Sequence, residues 1–382
     1  NIKPHIRGVF CLWKDGYISI RKMNNMAERK VLLIGSLPFD NEEDAMARSL
    51  DILGEHLFSL PDGEIGEKTD EFPSGKRSCF IMGTILECVA DSQNWTIVQE
   101  MDPHEDNGFM KDFKGRYILA PNHPPSEMHK HMNFGYHEYF KQNYPIFKRL
   151  RDERGLGHVK FQVCIPSAWN LAPLMMTPVK ALRYMSSFTR RLAEEANEII
   201  NIGGDDVIIQ VDIPAELAMA YYLPNFATGF AVNKVLQLIE RLDSNASIGL
   251  HMCMGDLHNE IVSHHPKTLK KMANFSNRLV KAWPDTHKLE YIHFPLAEAA
   301  DPPKLDPEFY SALSKITLPQ ETRFVAGFIH EKLTEDQLKE LLRTIEDTRG
   351  EPVDIASSCG LGRRTTDVGQ YLLDMASRIA VS

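Results

Sequence analysis

The sequence has no apolar run approaching the roughly 18 residues a membrane span requires, and no surplus of positive charge. Its 43 lysines and arginines are outnumbered by 52 aspartates and glutamates, giving a net charge of −9. A protein that grips a phosphate backbone needs a basic face, so neither a nucleic-acid nor a membrane partner is expected. Cysteine is sparse, six in 382 residues, and no two lie close enough to suggest a disulfide framework. A reducing, cytoplasmic setting is the expectation, and the N-terminus carries no basic–apolar–small signal pattern. Repeats and low-complexity tracts are missing. So is a GxGxxG phosphate loop: Ile34-Gly35-Ser36-Leu37-Pro38 stands after the first apolar run instead.

What the chain does contain is strand-like runs alternating with helical patterns. The runs are Val31–Ile34, Leu57–Leu60, Val159–Ile165, Val207–Val211, Ser247–Leu250, Leu289–Ile292, Arg323–Ile329 and Val353–Ala356. Helical periodicity follows the first (Asn41–Gly54), the third (Pro178–Asn201), the fifth (His265–Trp283), the sixth (Pro307–Ser314), the seventh (Glu335–Thr348) and the eighth (Thr366–Ile379). Alternation of this kind implies parallel strands. Eight units suggest an α/β fold of the (β/α)₈ TIM-barrel type, with an open doubly wound sheet as the rival. Residues 26–382 read as one catalytic domain. Residues 66–157 read as a long insertion after the second strand, folded over the mouth as a lid. Met26 looks like a natural start, and residues 1–25 read as an extension with a hairpin around Asp15-Gly16.

Active sites of such barrels lie at the C-terminal strand ends, and here nearly every run ends in a chemically capable side chain. These are Ser36, Glu64, Ser167, Asp212, His251 with Cys253, His293, His330 and Cys359. On a strand, residues two apart share a face, so His251 and Cys253 present an imidazole and a thiol together. With a distant cysteine they make a borderline-soft donor set of the kind zinc accepts, other divalent transition metals included. Plainer readings stand beside this one. Free cysteines are often inert core residues, His293 between Ile292 and Phe294 also reads as a core histidine, and His330-Glu331 also reads as a helix opening.

Four segments together resemble the catalytic domain of cobalamin-independent methionine synthase and its shorter relatives. They are Ile34-Gly35-Ser36-Leu37-Pro38, Ile209-Gln210-Val211-Asp212-Ile213-Pro214-Ala215, His251-Met252-Cys253 and Ser358-Cys359-Gly360. The resemblance implies a stand-alone zinc-dependent transferase that moves a methyl or alkyl group to or from a small homocysteine-like thiol, through a metal-bound thiolate. Its partners are then that thiol and a methyl or alkyl donor. It assigns His251, Cys253 and Cys359 as metal ligands, with His293 where the family has a carboxylate ligand. It assigns Ser36, Glu64 and Asp212 to substrate binding, and Ser167, at the end of the third run, is expected beside them. His330 is expected as general acid, with Asp212 beside it in the chemistry. Ile213 departs from the family's glutamate, and the family's N-terminal half has no counterpart here, so a folate donor is not expected. Two other readings stay open: a metal-dependent lyase or hydrolase acting on a sulfur compound, and a barrel that binds thiol or metal without turnover.

Overall fold

A computed structural model describes residues 29–79, 81–244, 246–261 and 266–382; the hairpin expected within residues 1–25 lies outside the described residues. The strands are β1 (Ser59–Pro61), β2 (Trp95–Gln99), β3 (Ile118–Pro121), β4 (Lys160–Pro166), β5 (Val207–Asp212), β6 (Ser247–His251), β7 (Asp256–Leu257), β8 (Glu260–Ile261), β9 (Lys288–Pro295), β10 (Arg323–Ile329) and β11 (Asp354–Ser357). The helices are α1 (Glu42–Leu53), α2 (Ile81–Ala90), α3 (Tyr136–Glu153), α4 (Ala168–Met175), α5 (Pro178–Gly203), α6 (Pro214–Tyr222), α7 (Thr228–Ile239), α8 (Lys270–Lys281), α9 (Pro307–Tyr310), α10 (Glu335–Arg349) and α11 (Thr366–Ala380). Local sequence sets several ends. Asn41 caps α1 by accepting from the Asp44 N–H, and Thr334 with Gln337 forms a reciprocal capping box on α10.

Seven strands form one sheet in the order β1-β4-β5-β6-β9-β10-β11, every pair parallel. The expected first strand does not form as one. Val31 instead makes isolated parallel bridges to Leu57 beside β1 and to Ile355 in β11. The Leu32 N–H donates to the Ile355 carbonyl, and the Phe58 N–H donates to that of Val31. Extended pairing stops there because Gly35, Ser36 and Pro38 turn the chain inward, where the Leu37 N–H bonds the Gly63 carbonyl. The segment thus touches both edges of the curled sheet without becoming an eighth strand. The fifth and sixth runs extend further than the apolar pattern does, through His251 and Pro295.

The sheet has two buried faces. Outside, helices pack on a large apolar cluster. Inside, Leu32, Ile34, Ile208, Tyr291, Val325 and Ala356 form a smaller one. The inner face also holds a closed polar chain. Ser59 Oγ donates to Gln162 Oε1, Gln162 Nε2 donates to Gln210 Oε1 and to the Leu33 carbonyl, and Tyr291 OH donates to Gln210 Oε1. Gln210 Nε2 then reaches Asp212 at 2.8 Å. Every polar group in this chain is satisfied, which is the condition for burying amides inside a sheet.

Between β1 and β4 lie α2, the β2–β3 hairpin and α3. Asp62 organises the entrance to this region. It accepts from Arg77 Nη1 at 2.9 Å and from Asn143 Nδ2 at 2.7 Å, and its other oxygen accepts from the Glu64 N–H.

The ring of Tyr291 lies across the inner face, and Gly249 on the neighbouring strand makes room for it. A Cβ there would sit 2.1 Å from Tyr291 Cζ. Gly249→Ala is therefore expected to destabilise the fold by about 3 kcal/mol, the upper part of the overpacking range. Truncating the ring as well (G249A/Y291L) should cost less than the two single changes added. Urea unfolding of the three variants measures both quantities.

Candidate metal centre and substrate cavity

The register of the central strands brings their C-terminal ends level. Asp212 pairs with His251, and His251 pairs with His293. β6 ends at His251, so strand alternation is not what aligns Cys253 with it. The Cys253 N–H bonds back to the His251 carbonyl at 3.0 Å, and the Met252 N–H bonds the His293 carbonyl at 3.1 Å. This tight turn folds Cys253 over the strand end. Cys359 arrives from the loop after β11, where Ser357 Oγ donates to its carbonyl at 2.7 Å. His251, Cys253 and Cys359 each offer one ligand atom, and the three lie within 4.8 Å of one another. The two sulfurs are 3.8 Å apart.

The electrostatics of the trio follow from its neighbours. The hydrogen bond from the Cys253 thiol, assisted by His251 and Arg363, holds Cys359 well below the ordinary thiol value in spite of burial. As the donor in that bond, Cys253 is pushed up correspondingly. The Gly255 N–H also donates to Cys253 Sγ at 3.2 Å, with Gly255 at a φ of +72°. Arg363 is clamped by Asp256 at 2.5 Å and 2.6 Å and donates to Cys359 Sγ at 3.5 Å. Burial opposes charge on His251, but Asp212, Cys359 and Asp256 outweigh it and raise its pKa.

A cavity of about 330 Å³ opens from the trio. Its polar wall includes Ser36, Glu64, Asn170, Asp212 and Arg363, and its apolar wall includes Ile34, Met82, Trp169 and Leu174. Cys79, Ile81, Met82, Met110 and Phe113 reach it from the chain between β1 and β4. Glycines press Ser36 into place: a Cβ at Gly360 or at Gly362 would come within 2.7 Å of its Oγ. Burial lifts the Asp212 carboxyl to about 7, with Cys359 adding to the rise and His251 opposing it. Burial likewise lifts Glu64 to about 8, reinforced by Asp62 and Asp212 against Arg77.

Three residues expected at the site stand elsewhere. His293 is not among the convergent ligand atoms. Its Nδ1 faces His251 Nδ1 at 2.8 Å and its Nε2 faces the Ser357 carbonyl at 2.9 Å, so both nitrogens are occupied behind the trio. His330 is fully buried off the cavity, and burial lowers its pKa. Its Nε2 bonds the Ala299 carbonyl at 3.1 Å and its Nδ1 accepts from the Lys332 N–H at 3.1 Å, which leaves no nitrogen for a leaving group. Ser167 is buried too, with its Oγ accepting from Asn170 Nδ2 at 2.8 Å. It holds Asn170 at the cavity wall and does not line the wall itself. Sequence reasoning missed Cys79 and Trp169, which join the cavity through tertiary folding and carry no local signal. It also missed the Asp256–Arg363 clamp, although both of its residues flank recognised motifs.

No family model matches the chain, and no curated protein does. Solved structures do resemble it. A B12-independent methionine synthase from Shewanella sp. W3-18-1, in complex with selenomethionine, superposes with a TM-score of 0.56 at 15% identity over 93% of this chain and 97% of that one. A methyltransferase from Methanosarcina mazei gives 0.48 at 12% identity over 93% and 95%. A β-glucosidase from Pyrococcus furiosus gives 0.41 at 13% over 91% and 86%. The likeness to the synthase is one of fold: both chains share the curled parallel α/β sheet over nearly their full lengths. No helix among the described residues is long and apolar enough to cross a membrane.

The raised Glu64 carboxyl has a consequence for stability. A group that binds its proton more tightly when folded contributes stability below the ordinary carboxyl value, and this contribution is lost as pH rises through about 8. Glu64→Gln removes the charge and keeps the shape. The variant is expected to match the native protein in urea unfolding at about pH 5 and to exceed it by on the order of 3 kcal/mol at about pH 9.

Proposed function

We propose that this protein is a zinc-dependent transferase that moves a methyl or alkyl group to or from a small thiol. The observation that carries the reading is the spacing of the trio. Two thiolates bound tetrahedrally at about 2.3 Å lie about 3.8 Å apart, and Cys253 Sγ and Cys359 Sγ are separated by 3.8 Å. A nitrogen of His251 completes a three-residue donor set of the catalytic kind, which keeps one position open. Bound there, zinc would supply a Lewis-acid site that lowers the pKa of a substrate thiol. The fold shared with a methionine synthase supports the reading.

The chain's own residues supply the rest. Glu64, Asp212 and Ser36 face one cavity and suit a cationic, hydrogen-bonding substrate end such as an ammonium. An ammonium between Glu64 and Asp212 favours their ionised forms and offsets the cost of burying them. Arg363, held rigid by Asp256, keeps positive potential beside Cys359. The apolar wall at Met82, Trp169 and Leu174 lines the approach to the trio and suits an aliphatic part of the substrate.

The test uses the cobalt(II)-substituted full chain, titrated with homocysteine. The expected result is one metal per chain, a visible-spectrum change on adding the thiol, and faster alkylation of homocysteine by iodomethane than without protein. Cys359→Ser should lose the bound metal and the acceleration together. Turnover of a sulfur compound without any alkyl donor would replace this reading with lyase or hydrolase chemistry. Thiol binding without any acceleration would replace it with a carrier.

A further inference from the structure

We propose that His293 is a positioning residue that fixes His251 with its Nδ1 protonated and its Nε2 directed to the metal. The inference deepens the metal reading above and rests on it. The argument is a count of protons along a line of three groups. The Ser357 carbonyl can only accept, and His293 Nε2 lies 2.9 Å from it, so that nitrogen carries a hydrogen. A neutral imidazole has one N–H, which leaves His293 Nδ1 with a bare lone pair. His293 is fully buried, and its nitrogens meet only the Ser357 carbonyl and His251, with no carboxylate to balance a second proton. His251 Nδ1 lies 2.8 Å from that lone pair and must therefore be the donor. The only nitrogen of His251 left to coordinate is Nε2. It is buried and makes no hydrogen bond, and His251 stands with Cys253 and Cys359 in the convergent trio.

The structure around His293 suits this task. A Cβ at Gly327 would lie 2.3 Å from His293 Nε2, so only glycine on β10 lets the ring reach Ser357. The rings of His251 and His293 are tilted 53° with centroids 4.8 Å apart, an in-line rather than a stacked arrangement. Histidines that ligate metals commonly donate their second N–H to an acceptor that fixes tautomer and orientation. Here the acceptor is a second histidine, itself fixed by the backbone.

Two measurements test the assignment. The first needs no variant. Nitrogen-15 spectra of histidine-labelled native protein, recorded without metal, should show His293 with the hydrogen on Nε2 and a scalar coupling between the two Nδ1 atoms. A His293 hydrogen on Nδ1 overturns the proposal. The second is zinc affinity by chelator competition. His293→Leu removes the acceptor and should weaken binding about 10- to 100-fold, whereas His293→Asn, whose Oδ1 can stand in for Nδ1, should stay within about threefold of native. Equal affinity in His293→Leu and native protein overturns the proposal, as does X-ray absorption of the zinc-loaded protein showing two imidazoles bound to the metal. If native protein takes up no zinc, the metal reading fails by itself, and the nitrogen spectrum still decides how the two rings are bonded.

Discussion

The site depends on one row of residues held level by parallel pairing. Asp212, His251 and His293 occupy matched positions on β5, β6 and β9. In a parallel sheet a slip of one residue would turn each side chain to the opposite face. The row is therefore only as secure as the register, and the register is pinned from inside. Gln162 and Gln210 bridge neighbouring strands and also bond the Leu33 and Ile34 carbonyls. Gln210 then orients Asp212 directly. The glutamines thus tie strand position to site geometry in one continuous network.

The burial of the site makes its carboxylates expensive. Asp212 and Glu64 are raised towards neutrality because the cavity offers them little solvent and few donors. Glu216, behind Asn170, is raised to about 7 for the same reason. A fold that keeps three such groups is carrying strain that a fully apolar wall would not have, and functional sites are where strain of this kind persists. By contrast, the buried carboxylates Asp256 and Asp62 each face a guanidinium, of Arg363 and Arg77, and serve as fixed struts.

Much of this was legible in the sequence, and the limits have identifiable causes. Seven of the eight apolar runs became parallel strands because uninterrupted Val, Ile and Phe sequences can be buried on both faces. The Val31 segment failed as a strand because strand length depends on what the chain does after Gly35. Helix α3 was hidden by its polar composition and by Pro145. Helices α4 and α6 are short, and Pro173 interrupts α4. At the site, His251, Cys253 and Cys359 were visible as motif residues at strand ends, though their alignment comes from a turn after β6 and not from strand alternation. His293, His330 and Ser167 illustrate the limit. A residue type at a strand end cannot show whether its polar atoms are already taken by neighbouring backbone or side chains, and in these three they are.

On the zinc reading proposed above, the place of His293 behind His251 bears on the charge around the ion. Two thiolates and a neutral imidazole carry two negative charges, which balance a divalent ion; a carboxylate in the same shell would carry a third. With His293 withdrawn behind His251, such a shell would be neutral overall. A neutral shell attracts an incoming thiolate more strongly than an anionic one does, since the attraction scales with net charge in a low-dielectric cavity. Arg363 acts in the same sense, but Asp256 cancels most of its charge and leaves mainly a local donor to Cys359. On the zinc reading proposed above, this balance would favour holding an anionic sulfur.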